Sequence, residues 1–218
     1  MSLQGLKRTA SAALLTGGLL WIVVFTIFVS IGATTGKFPD PPGPHSSPSV
    51  FIGSGVFLLS ILLLDLGQIG MFARMQGRAR ALRITSLVFT LLSAVLIIIN
   101  VVLFIFGSIT GSAAYSGTLT GFGAMTLSIG AAFLGWAGLR TKVIARGAAW
   151  TLIGIGITTI PILFSTPLPI GPAWASDMLA FLTSGIAYAV VGAIMLKMRQ
   201  KQGEMVDRTT NQPFVEVK

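Results

Sequence analysis

The chain has 218 residues, 53% of them hydrophobic and only 10% charged, with a mean hydropathy of +0.87. A soluble domain carries about 25% charged residues, so this composition excludes a soluble globular fold and a disordered chain and leaves lipid as the solvent. The net charge of +9 is no nucleic-acid footprint, because the cations sit in short clusters between long apolar runs instead of forming a patch on one folded face.

Taken in order, the apolar runs predict an all-α, polytopic membrane protein with a six-helix transmembrane bundle, since about 20 apolar residues cross the hydrocarbon core as a helix. The first span covers about 10–33, between Arg8 and Lys37. It follows a Lys7-Arg8 start, as a secretory signal would, but it is far longer than a signal's apolar region of roughly 7–15 residues, so an uncleaved span is expected. The next segment, 34–49, holds Pro39, Pro41, Pro42, Pro44 and Pro48 and predicts an extended, solvated loop. The second span, about 50–72, carries Asp65.

From Arg83 to Arg140 no charge occurs. That length suits two spans, about 84–106 and 119–139, and the Gly/Ser-rich dip from Gly107 to Thr118 reads as the turn between them. The fifth span, about 147–165, ends where Pro167, Pro169 and Pro172 prevent regular helix. The sixth covers about 176–196, within a single domain 1–201, and 202–218 reads as a short, mobile polar tail.

With both ends placed in the cytoplasm, every one of the 15 Lys and Arg residues except Lys37 falls on an inner segment. An odd number of spans would break that alternation. The expected location is the cell membrane, with the bilayer and the anionic headgroups of its inner face as partners and a protein partner or second copy possible. Trp136 and Trp150 fall at the inner interface and Trp174 at the outer one, where indoles favour the headgroup zone. Trp21 lies mid-span, and packs on another helix or faces lipid.

The starts Lys7-Arg-Thr-Ala-Ser, Arg83-Ile-Thr-Ser and Arg146-Gly-Ala-Ala suggest three tandem antiparallel hairpins. This plan is similar to that of small six-span bacterial proteins of the HdeD type, linked to acid stress; no motif carries a site or an activity across.

Small residues mark where membrane helices approach closely. The fourth span carries Ala124, Ser128 and Ala132, with Ala131 and Gly135 beside them; the sixth carries Gly185, Ala189 and Ala193, with Ser184 and Gly192 flanking. Both are expected to be central. The third, full of Leu, Ile, Val and Phe, is expected at the periphery.

Ionisable residues at membrane depth are costly and are functional candidates by default. Asp65 lies nine residues before Arg74, about 13 Å along a helix. Gln68 shares its face, and Tyr188, nine residues before Lys197, lies at matching depth, with Ser93 and Ser128 close by. Asp65, Gln68 and Tyr188 therefore form a candidate intramembrane polar cluster: a proton or cation site, or a structural hydrogen bond that fixes a helix pair. Asn100 is expected to be interhelical glue. Pro161 is a candidate kink, leaving the Ile157 carbonyl without its helical donor, with Thr158 and Thr159 able to satisfy freed groups. Asp177 suits the first turn of the sixth helix.

No Cys is present and His45 is the only His. Disulfides, thiolate metal sites, Cys nucleophiles and His-pair chemistry are thereby excluded. No catalytic set, metal site or cofactor motif is found in the spans. The expected function is a non-catalytic multi-pass membrane protein, with an accessory, assembly or stress-related role. The alternative is a small transporter or channel using Asp65.

Overall fold

The computed structural model describes residues 3–36, 47–75, 79–111, 116–164 and 173–210, with side-chain surroundings over 9–36, 47–75, 79–111, 116–158, 181–198 and 200. These residues form six α-helices: α1 (Leu3–Thr35), α2 (Pro48–Arg74), α3 (Arg80–Thr110), α4 (Gly117–Thr141), α5 (Arg146–Phe164) and α6 (Ala173–Thr210). There is no strand among them. By length and composition alone, five stretches are apolar enough to cross a membrane: Thr9–Thr35, Pro48–Arg74, Arg80–Thr110, Gly117–Thr141 and Phe181–Met198. The fold is an all-α membrane bundle.

Each helix packs on its neighbours in sequence, α6 returns to α1, and α2 crosses to α4. Short connections account for the first rule and small residues for the second. Gly18 of α1 faces α6 so closely that a Cβ there would lie 2.5 Å from the Ala189 nitrogen and 2.8 Å from the Gly185 carbonyl oxygen. Gly192 likewise admits the backbone of Leu15. Along α4, Gly135 meets the Ala149 carbonyl, and Gly156 of α5 meets Ala132. Hydrophobicity alone does not drive helices together in lipid, so these backbone approaches supply packing that larger residues would prevent.

The small-residue stripes mostly lie where expected. Ala124, Ser128, Ala131, Gly135, Ser184, Gly185, Ala189 and Gly192 are buried and Ala132 is half-buried, whereas Ala193 is exposed. The α6 stripe turns away at that point because its contact with α1 follows Gly185, Ala189 and Gly192, spaced by four and three. Among the apolar stretches, that of α4 is the most buried, at 61%, and that of α3 the least, at 22%.

Helix boundaries differ from expectation at the α3–α4 turn and at the end of α6. The turn between α3 and α4 is shorter than Gly107–Thr118. Helix continues to Thr110, with the Ser108 and Thr110 hydroxyls donating to the Phe104 and Phe106 carbonyls, and Gly111 at φ 66° ends it. Ser116 then caps α4 by accepting from the Leu119 amide at 3.3 Å. At the C-terminal end, α6 runs on to Thr210 instead of stopping near 196, so the start of the polar tail is helical; 211–218 lie outside the described residues. The Pro39–Pro48 loop with His45 lies mostly outside them too, as do the side-chain surroundings of Thr159, Pro161, Trp174 and Asp177.

α5 is helical through Pro161 to Phe164. Thr158 does not serve the freed Ile157 carbonyl; its hydroxyl donates to the Gly154 and Ile155 carbonyls, both at 3.0 Å. A hydroxyl on a helix reaches the turn before it, and Ile157 is its immediate neighbour.

Candidate functional site

The polar centre of the bundle lies against the inner face of α3, whose buried residues include Ser86, Thr90, Ser93, Ile97 and Asn100. Their spacing of four, three, four and three places them on one stripe. The helix is inside-out: the polar stripe faces its neighbours, while Val88, Leu91, Leu92, Val95, Ile98 and Ile99 are exposed on the outer side. In lipid that arrangement is stable because the outer face needs no water and the inner face finds partners.

Gln68 of α2 sits at the hub. Its amide nitrogen donates to the Leu127 carbonyl of α4 at 3.1 Å and to the Tyr188 hydroxyl of α6 at 3.2 Å. Its amide oxygen accepts from the Thr90 hydroxyl of α3 at 2.9 Å. Both donor hydrogens and the acceptor are thus used, on three different helices. Ser86 adds a link from α3 to the Gly130 carbonyl of α4 at 2.8 Å. Gly130 makes room for this junction: a Cβ there would lie 2.8 Å from Thr90 Oγ1 and 3.2 Å from Gln68 Oε1.

Asp65 lies one turn away on the same face of α2, 2% exposed. Ser93 of α3 donates to its Oδ2 at 3.2 Å, while Oδ1 is buried with no hydrogen-bond partner. Gln68 and Tyr188 bond directly, whereas Asp65 is held by Ser93. Ser128 lies beside the Tyr188 hydroxyl and also donates to its own helix at the Ala124 carbonyl, 2.9 Å away. Among the side chains described, Asp65 is the only acidic one.

Towards the end of the bundle that holds the α3–α4 turn, Asn100 donates to the Ser116 carbonyl at 2.9 Å and to the Thr120 hydroxyl, and accepts from the Ser116 amide at 3.0 Å. It ties α3 to the start of α4, the role expected of it. Trp21 takes the first of its two options. It is buried, donates from Nε1 to the Phe181 carbonyl at 2.8 Å and packs edge-on to Phe57 at 4.9 Å. Phe25 and Phe181 stack beside it, 5.1 Å apart. Indole burial with a satisfied N–H makes this cluster the apolar floor under Tyr188.

Ser86, Thr90 and Gly130 were absent from the sequence-derived cluster. The signal that could have revealed them is the polar stripe on α3, masked by the abundance of Leu, Ile and Val around it. At the basic end, Trp136 and Trp150 are exposed, 50% and 55%, and the Arg140 guanidinium lies 5.7 Å from the Trp136 ring centre. That suits an interfacial position.

What the arrangement can do chemically is limited by its groups: amide, hydroxyl and one carboxyl, joined by hydrogen bonds across four helices. Compared with known proteins, the chain matches no family model, no curated protein and no solved structure.

Proposed function

We propose that this chain is a non-catalytic multi-pass membrane protein whose polar centre is a structural lock holding α2, α3, α4 and α6 in register. The observation that carries the reading is the pairing of Gln68, whose two donor hydrogens and amide oxygen reach three other helices. A substrate or ion site needs groups free to exchange partners, and at the hub both donors are already committed. The role is that of an accessory, assembly or stress-related component working through its surfaces. α5 is read as a sixth span, which lets the basic segments fall on the cytoplasmic side with both termini, in the cell membrane.

One observation favours a second reading. Asp65 Oδ1 is buried without a partner, and an intramembrane carboxyl with a spare oxygen is what a proton- or cation-coupled transporter requires. Reconstitution into proteoliposomes separates the two. With a lumenal pH dye and imposed proton and potassium gradients, the lock predicts flux no greater than in empty vesicles. Flux that scales with protein content would install the transporter.

A further inference from the structure

The basic end of the bundle contains a cavity of about 600 Å³ between the end of α4, the start of α5 and α6. Lys142, Arg146 and Trp150 give it two cations and an indole, and Leu139, Ile144 and Met198 an apolar wall. No carboxylate is among its described lining residues. The first turn of α5 adds the positive end of a helix dipole. One detail sets this cleft apart from an ordinary basic turn. Lys142, which caps α4, has φ 56° and ψ 20°, a left-handed conformation usually left to glycine or asparagine at helix ends. A cation stands where glycine would cost less.

We propose that this cleft binds the headgroup of an anionic phospholipid from the adjoining leaflet, with Lys142 and Arg146 facing the phosphate and the apolar wall facing the first carbons of its chains. The argument is complementarity: a phospholipid presents an anion joined to an apolar stem at this depth, and the cleft presents cations joined to an apolar wall. Exposed Trp136 and Trp150 mark the same level as the headgroup zone, and basic pockets between membrane helices are suited to such headgroups. The proposal rests on the membrane reading above but not on the role of Asp65. Carbonate extraction tests that membrane reading separately.

The test uses the full chain purified in neutral detergent, titrated with phosphatidylglycerol, with phosphatidylcholine of the same chains, and with inorganic phosphate. Binding is read by native mass spectrometry and by melting temperature. Phosphatidylglycerol should bind about tenfold or more tightly than phosphatidylcholine, and Lys142→Gly/Arg146→Gln should remove that advantage. Lys142→Gly alone should weaken lipid binding while leaving the lipid-free melting temperature unchanged or higher, since glycine relieves the left-handed strain. A purely structural lysine would not give that opposition. Arg80→Gln, an exposed cation at the start of α3, should change nothing. Equal binding of the two lipids, full retention of phosphatidylglycerol preference in the double variant, or the same loss in Arg80→Gln would overturn the proposal. So would inorganic phosphate binding as strongly as the lipid, which would make the cleft a site for a free anion.

Discussion

Replacing Gln68 with leucine keeps the side chain's approximate volume and removes three hydrogen bonds, to Leu127, Tyr188 and Thr90. Interhelical side-chain bonds in membrane proteins average about 0.6 kcal/mol, so three give roughly 2 kcal/mol. The groups left behind moderate or increase this. The single Thr90 hydroxyl hydrogen can turn wholly to the Ser86 carbonyl, 2.9 Å away, and the Leu127 carbonyl remains within its own helix, but the buried Tyr188 hydroxyl loses the Gln68 donor and keeps only Ser128 beside it. Tyr188→Phe alone removes one of the three bonds and should cost about 0.6 kcal/mol. In the double variant the loss should be smaller than the sum of the singles by about that amount, because the shared bond is counted only once. Reversible unfolding of the purified protein in bicelles, followed by helicity, measures all three. A loss below about 0.5 kcal/mol for Gln68→Leu, or strict additivity with Tyr188→Phe, would refute the hub.

Further outcomes follow from the same contacts. Gly18→Ala should destabilise by about 1–3 kcal/mol, since the new methyl would meet the α6 backbone at Gly185 and Ala189 within 2.9 Å. Gly154→Ala, with nothing within 4 Å, should stabilise by up to about 1 kcal/mol; thermal unfolding in detergent reads both. By the same measurement Ala189→Leu should lower the melting temperature more than Ile98→Ala, because Ala189 is pressed against Gly18 whereas Ile98 is 53% exposed. Reporter fusions after Met75, Val143 and the C-terminus should read cytoplasmic, and those in the Pro39–Pro48 loop, near Ala114 and near Pro169 external. One inverted internal reporter would overturn the six-span topology.

The architecture was legible because lipid imposes one strong rule: charge-free length means a spanning helix. Depth was legible only to within a turn. Counting nine residues from Arg74 and from Lys197 placed Asp65 and Tyr188 at the same level, yet Tyr188 bonds to Gln68, one turn on, while Asp65 reaches Ser93. Composition also misled for α3: its exposed Leu, Ile and Val correctly indicate a peripheral helix, but hide the polar stripe that makes its inner face the wall of the cluster. The α3–α4 turn was overestimated because Ser and Thr, read as turn formers, instead hydrogen-bond back along the helix. Trp21 carried too little local information, its partner Phe181 lying 160 residues away.

The account stands on the polar centre being structural, and Asp65→Asn examines that most directly. Asparagine keeps the side chain's shape and can still accept from Ser93, but cannot take up and release a proton. Wild type and variant reconstituted in parallel, each scored for unfolding free energy and for proton and potassium flux, should agree: stability equal within about 0.5 kcal/mol and flux at the level of empty vesicles in both. A gradient-driven flux in the wild type that disappears in Asp65→Asn, with stability retained, would contradict the structural lock and make Asp65 a coupling site.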